Sequence, residues 1–138
     1  MDRGRSPLEL GEAFLASVRD RDWVALAGTF APDAQFQAVV DNEAHPFRER
    51  TGGEQAAAQI ARWFDDGDVH EVVASGVEAM ADRVHVWYRV HNHEPDGWKL
   101  VEQHVFADPA MDADGFRRVV LACSGFRPAR PLEPAARR

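Results

Sequence analysis

Between residues 84 and 93 the chain alternates two chemically different faces. Val84, Val86, Tyr88 and Val90 fall on one side, and His85, Trp87, Arg89, His91 and His93 on the other. A period of two in a stretch rich in Val, Trp and Tyr predicts a β-strand, and His93-Glu94-Pro95-Asp96-Gly97-Trp98 supplies the turn after it, with four loop residues between His93 and Trp98. A strand returning over residues 98–107 sets Val84 opposite Ala107, Val86 opposite Val105, Tyr88 opposite Gln103 and Val90 opposite Val101. The other face then pairs His85 with Phe106, Trp87 with His104, Arg89 with Glu102 and His91 with Leu100. The first face is apolar apart from a phenol and an amide side by side, and it is predicted to cover the interior. The second is aromatic and amphipathic with a matched ion pair, and it is predicted to meet another surface, most simply a copy of itself.

Helical spacing marks three more elements. Ser6-Pro7-Leu8-Glu9 reads as a capping box with proline in the first turn, followed by an apolar stripe of Leu10, Phe14, Leu15 and Val18. Asp22 caps a short second helix, running to about residue 30, in which Trp23, Leu26, Ala27 and Phe30 recur; Ala31-Pro32-Asp33 stops it. Thr51-Gly52-Gly53-Glu54 repeats the capping pattern and opens a third helix with Ala57, Ile60, Ala61 and Phe64 on its buried side. Asp65-Asp66-Gly67-Asp68 closes that helix with a glycine cap.

Strands are predicted over residues 35–40, with Phe36, Ala38 and Val40 on alternate positions, and over 69–80, with an irregularity at Ser75-Gly76. A last strand over 116–124 is apolar on both faces, as expected where packing comes from two sides. Residues 41–48 read as an irregular polar connection. The order helix, helix, strand, helix, then four antiparallel strands defines an α+β domain with helices gathered on one face of a strongly bent sheet. That domain is expected over residues 7–127, between a short N-terminal segment, 1–6, and a Pro/Arg-rich tail, 128–138, that is extended or frayed.

Composition narrows the partners. A net charge of −7 argues against nucleic acid, because phosphate binding needs clustered cations. No apolar run approaches the ~20 residues of a membrane span, and no apolar segment follows the basic residues at the start, so a cytoplasmic location is expected. Cys123 is the single cysteine, which excludes an intrachain disulfide and a cysteine-based metal cluster.

The Phe14-Leu15 and Trp23 helical hairpin, the Ala31-Pro32-Asp33-Ala34 entry into the first strand, the helix from Gly53 to Trp63-Phe64 and the closing Cys-Ser-Gly-Phe-Arg-Pro give the chain a family likeness. From residue 8 to residue 128 it resembles the NTF2-like superfamily, in particular its SnoaL-like branch. The resemblance implies a cone: three helices over the concave face of a bent antiparallel sheet, a pocket for an apolar small molecule, and pairing through the outer sheet face. Tyr88, Gln103, Phe14 and Trp23 would line that pocket, with Phe36, Val86 and Val101. Trp87, Arg89, Glu102 and His104 would face the partner subunit of a homodimer.

Relatives resembling ketosteroid isomerase combine a helical tyrosine and an acid on an inward strand position with a carboxylate base near the end of the first strand. Here Phe14 and Gln103 stand in the first two places. Gln103 and Tyr88 could still each donate a hydrogen bond to a carbonyl, with Asp41, Glu43 or His45 as the base. The Asp-Arg-Asp set of limonene-epoxide-hydrolase-like relatives has no counterpart on the inward faces. His91 and His93 could chelate a metal with His104 nearby, but they fall short of a zinc centre, and histidines lining a subunit contact are the simpler account. The aspartates at 65, 66 and 68 read as a solvated turn, and Cys123 as a core thiol without a base for itself or Ser124. No metal or cofactor is expected. Two functions stay open: proton transfer or ring closure next to a carbonyl, and a non-catalytic ligand-binding or accessory module.

Overall fold

The computed structural model describes residues 4–41, 43–111 and 113–128. Helices α1 (Pro7–Asp20) and α2 (Trp23–Ala27) lead into strands β1 (Phe30–Val40) and β2 (Phe47–Thr51), and α3 (Gly53–Phe64) follows. Then come β3 (Val69–Met80), β4 (Arg83–Glu94), β5 (Gly97–Pro109), β6 (Phe116–Cys123) and the two-residue β7 (Arg127–Pro128). The strands form one curved, unclosed sheet in the order β2-β1-β6-β5-β4-β3, with β7 added to β5.

Local chemistry starts α1 as the sequence requires. Ser6 Oγ accepts from Glu9 N at 3.1 Å, and the Glu9 carboxylate accepts from Ser6 N at 2.8 Å. Asp22 accepts from Ala25 N at 3.1 Å and caps α2. The stripe of Leu10, Phe14, Leu15 and Val18 is buried, as are Ala57, Ile60 and Phe64 of α3. These helix faces and the inward residues of the sheet make one core.

The hairpin of β4 and β5 has the predicted register throughout, from Val84 opposite Ala107 to His93 opposite Trp98. Its turn is tighter than read, since Glu94 and Gly97 also pair and leave only Pro95-Asp96 as the loop.

Elsewhere the structure corrects the reading. β1 begins at Phe30 and α2 ends at Ala27, because Phe30 packs between Phe14 and Phe36, at ring separations of 6.1 and 6.4 Å, and pairs with Phe116. Residues 47–51 are a strand paired to β1 rather than part of a loop, and the cap of α3 is Gly52, without a side-chain bond from Thr51. Charges at Arg48, Glu49 and Arg50 hide β2 from a hydrophobic pattern; main-chain pairing makes it a strand. The irregularity of β3 lies between Val72 and Ala74, while Gly76 leaves room for the Trp87 indole, whose Nε1 would stand 2.5 Å from a Cβ there.

The closing strand differs too. β6 runs parallel to β1, so the sheet is antiparallel except at that pair. Val119, Leu121 and Cys123 of β6 are buried, but Arg118 and Ala122 on its other face are exposed. Asp65, not a glycine, caps the end of α3. Arg127 and Pro128 pair with Leu100 and Lys99, and the rest of the expected tail lies outside the described residues.

Candidate functional site

A chain of three polar side chains crosses the apolar interior. The Tyr88 hydroxyl donates to Gln103 Oε1 at 2.7 Å, and Gln103 Nε2 donates to Cys123 Sγ at 3.3 Å. The Gly125 amide donates to the same sulfur at 3.4 Å. Tyr88 and Gln103 are both 0 % exposed, and Phe14, Phe36, Val86 and Val101 around them are equally enclosed. The pairing follows from the ladder, which sets residue 88 opposite 103 and residue 103 opposite 123. Burial pushes the phenol well above its ordinary value, so it stays a neutral donor. Burial also raises the Cys123 thiol, against the opposing N–H groups of Gln103 and Gly125. Such a set can polarise a carbonyl but supplies no ready proton acceptor.

The structure does not bring the loop candidates into this chain. Asp41 is exposed and ion-paired to Arg127 at 2.5 Å, and Glu43 is paired to Arg48 at 2.5 Å. His45 is exposed, and its carbonyl accepts from Arg48. The charge of Glu43 does reach Cys123, where it adds slightly to the upward push on the thiol. Trp23, expected among the pocket residues, is half-buried and donates from Nε1 to Asp65 at 2.9 Å. It lines an outer groove of about 630 Å³ with Val24, Phe30 and Ala57.

On the outer face the four expected residues form one connected patch. Arg89 donates to Glu102 Oε1 at 2.8 Å, His104 Nε2 lies 2.7 Å from Glu102 Oε2, and the rings of Trp87 and His104 are nearly parallel at 5.9 Å. Hydrogen bonding from His104, then from Arg89, holds the Glu102 carboxyl below its ordinary range. His85 extends the patch, with Nε2 2.9 Å from His104 Nδ1 and Nδ1 3.1 Å from Glu78. The two imidazoles are 5.1 Å apart between centres and only 16° from parallel, so the contact between them is an in-plane hydrogen bond rather than a face-to-face stack. Val39, Trp98 and Leu100 add apolar surface exposed by 40, 42 and 38 %. His91 and His93 flank Trp98, and His93 is taken up by Asp68 at 2.7 Å. Among the described residues no three His, Cys, Asp or Glu side chains are grouped to hold a metal ion.

Sequence reading set His85 on the outer face, outside the four expected contact residues, and it missed His70 and Asn92. Asn92 carried a signal, because the inward alternation of 84, 86, 88 and 90 extends to it, and it is 0 % exposed. His70 Nε2 lies 2.9 Å from the Val18 carbonyl at the end of α1, and the ring meets Phe64 edge-on at 5.1 Å. Desolvation lowers its imidazole below the ordinary 6.5, opposed by the Val18 carbonyl and assisted by Arg21. The unfolded chain therefore binds this proton more readily than the folded one. That contribution to stability is complete above about 6.5 and is lost as pH falls below it. Urea midpoints measured on either side of that value are expected to fall toward acid, and to fall less steeply in His70→Gln.

The fold defines a class. No family profile matches the sequence, and no curated protein matches it. Solved structures do. A hypothetical protein from Catenulispora acidiphila with a ketosteroid isomerase-like fold, solved with trimethylamine, superposes with a TM-score of 0.63 at 18 % identity, over 84 % of this chain and 85 % of that one. A protein of the SnoaL-like family from Agrobacterium tumefaciens gives 0.58 at 15 % identity, over 86 % and 97 %. The designed protein Rd1NTF2_04 with a long sheet gives 0.58 at 17 %, over 84 % and 99 %. The chain has the NTF2-like cone fold of SnoaL-like and ketosteroid isomerase-like proteins. No helix among the described residues is long and apolar enough to cross a membrane.

Proposed function

We propose that the protein is a small-molecule-binding module that holds an apolar guest inside the cone and works as a cytoplasmic homodimer joined through the outer sheet face. The observation that carries the reading is the polar chain Tyr88–Gln103–Cys123, set in a mainly apolar core and satisfied without charge. A phenol donor of this kind can leave Gln103 and turn to a guest carbonyl, which fixes the guest's orientation while apolar contacts supply most of the affinity. Trp87, Arg89, Glu102 and His104, with His85 and the exposed Val39 and Leu100, offer the partner subunit an aromatic centre with polar edges. The exposed Arg89–Glu102 pair adds at most about 1 kcal/mol within the protomer, so its weight lies in register and specificity.

A catalytic version draws support from structural neighbours whose names propose an isomerase, in Agrobacterium tumefaciens, or polyketide cyclases, in Pseudomonas putida and Shewanella denitrificans. It requires Asp41 or His45 to turn inward as the base, and Asp41 is engaged by Arg127. Native mass spectrometry of freshly purified protein tests the module. A dimer carrying a non-covalent small apolar molecule is the expected result, and a ligand-free monomer overturns the reading. Steady turnover of a test ketone that is abolished in Asp41→Asn would replace the module with the enzyme.

A further inference from the structure

Beneath the turn that joins α3 to β3 lie two hydrogen-bond acceptors with no donor. The turn, residues 65–68, is fastened from three sides. Trp23 Nε1 donates to Asp65 at 2.9 Å, Arg21 donates to the Gly67 carbonyl at 2.8 Å, and Asp68 N donates to the His93 carbonyl at 3.0 Å. Gly67 lies flat on the Asn92 amide, where a Cβ would come within 2.7 Å of Oδ1. Under this cover, Asn92 Oδ1 and His70 Nδ1 are buried without a hydrogen-bond partner.

Their neighbours fix both atoms as acceptors. His70 Nε2 faces the Val18 carbonyl, which can only accept, so the neutral ring carries its hydrogen there and leaves a lone pair on Nδ1. Asn92 Nδ2 donates to the Glu94 carboxylate at 3.0 Å, so turning the amide over would set two oxygens against each other. The two residues are opposite one another in the β3–β4 ladder, with the amide in reach of the imidazole. Two lone pairs meet at a sealed position, and a fold rarely keeps such groups unsatisfied.

We propose that residues 65–68 are a lid over an acceptor subsite, His70 Nδ1 with Asn92 Oδ1, that takes the hydroxyl of a neutral guest whose apolar body runs into the cone. The proposal rests on the ligand-binding reading above and adds where the guest's polar end lies. Asn92 continues the inward stripe of Val86, Tyr88 and Val90, which sets the subsite on the same inner face of the sheet. Arg21 beside His70 disfavours a cationic guest, so a neutral donor fits, such as a hydroxyl whose one hydrogen is shared between the two lone pairs. Protonation closes the subsite, because an imidazolium supplies the missing hydrogen to Asn92 itself. The charged groups around the ring are Arg21 from the end of α1, Asp65 from the end of α3, and Glu94 of β4 beyond Asn92.

The test is a titration of the full chain with cyclohexanol and with cyclohexanone, read by NMR at the His70 ring and at the side-chain amides of Asn92 and Gln103. At about pH 8 cyclohexanol is expected to bind about tenfold more tightly than the ketone, the scale of one buried hydrogen bond, and to shift His70 and Asn92. The preference should vanish in Asn92→Leu. In the unaltered chain it should also decline as pH is lowered below 6.5, because burial holds the His70 imidazole under that value. Equal binding of the two probes with shifts at Gln103, or a preference that ignores pH, overturns the subsite and leaves interior binding standing. No shift at any of these groups with either probe overturns both.

Discussion

Gly115→Val is expected to remove about 4 kcal/mol or more of stability, enough to leave a domain of this size largely unfolded. Gly115 has φ +129°, a conformation side chains rarely adopt, and a Cβ there would stand 2.5 Å from Ala31 N and 2.6 Å from the Phe30 carbonyl carbon. These are main-chain atoms of β1, so they cannot step aside as a flexible side chain would. Relief requires parting β1 from β6 where Phe30 pairs with Phe116 and the Phe116 amide donates to the Thr29 carbonyl at 2.9 Å. That junction joins the β1–β2 hairpin to the rest of the sheet. Urea unfolding followed by tryptophan fluorescence measures the loss; a variant within about 1 kcal/mol of the parent would show that the β1–β6 junction yields easily.

The second large effect is expected at Gln103. Gln103→Ala removes a buried side chain and leaves the Tyr88 hydroxyl without an acceptor, for a combined loss of about 3 to 4 kcal/mol. Tyr88→Phe alone should lose about 1 to 2 kcal/mol, because the Gln103 carbonyl is then orphaned. The double variant Tyr88→Phe, Gln103→Leu replaces both polar groups with apolar ones of similar size and is expected to recover most of the loss. The same set separates stability from function. If the phenol and amide orient a guest, the double variant keeps the fold but no longer retains the bound mass seen with the parent. Retention unchanged in the double variant would remove the pair from the site.

The β4–β5 hairpin shows why part of this was legible from the chain alone. A pleated strand turns every second side chain to the same side, so Val84 to Val90 and their partners sort by chemistry, and a one-residue slip would put Tyr88 and Gln103 on the outside. Caps are local too, which is why Ser6 and Asp22 behave as read. Thr51 does not, because the main chain of β2 claims it for pairing with Gln35 before the helix begins.

Contacts between elements distant in sequence lie beyond such patterns. Asp41 and Glu43 are charged loop residues in either description; only the folded chain brings Arg127 and Arg48 to them and, among the described residues, leaves no carboxylate side chain buried. His70 looks like one more polar residue on an edge strand until the end of α1 and the turn after α3 close over it. The amino-acid sequence by itself determined the faces of the hairpin, the caps of α1 and α2 and the pairing of phenol with amide, because those depend on neighbours within a strand, a helical turn or one hairpin. Only tertiary structure decided that β1 runs alongside β6, which charges are tied down at the rim, and that two acceptors meet beneath residues 65–68. Those outcomes depend on where separate elements come to rest against each other, and no short-range pattern of side chains encodes that distance.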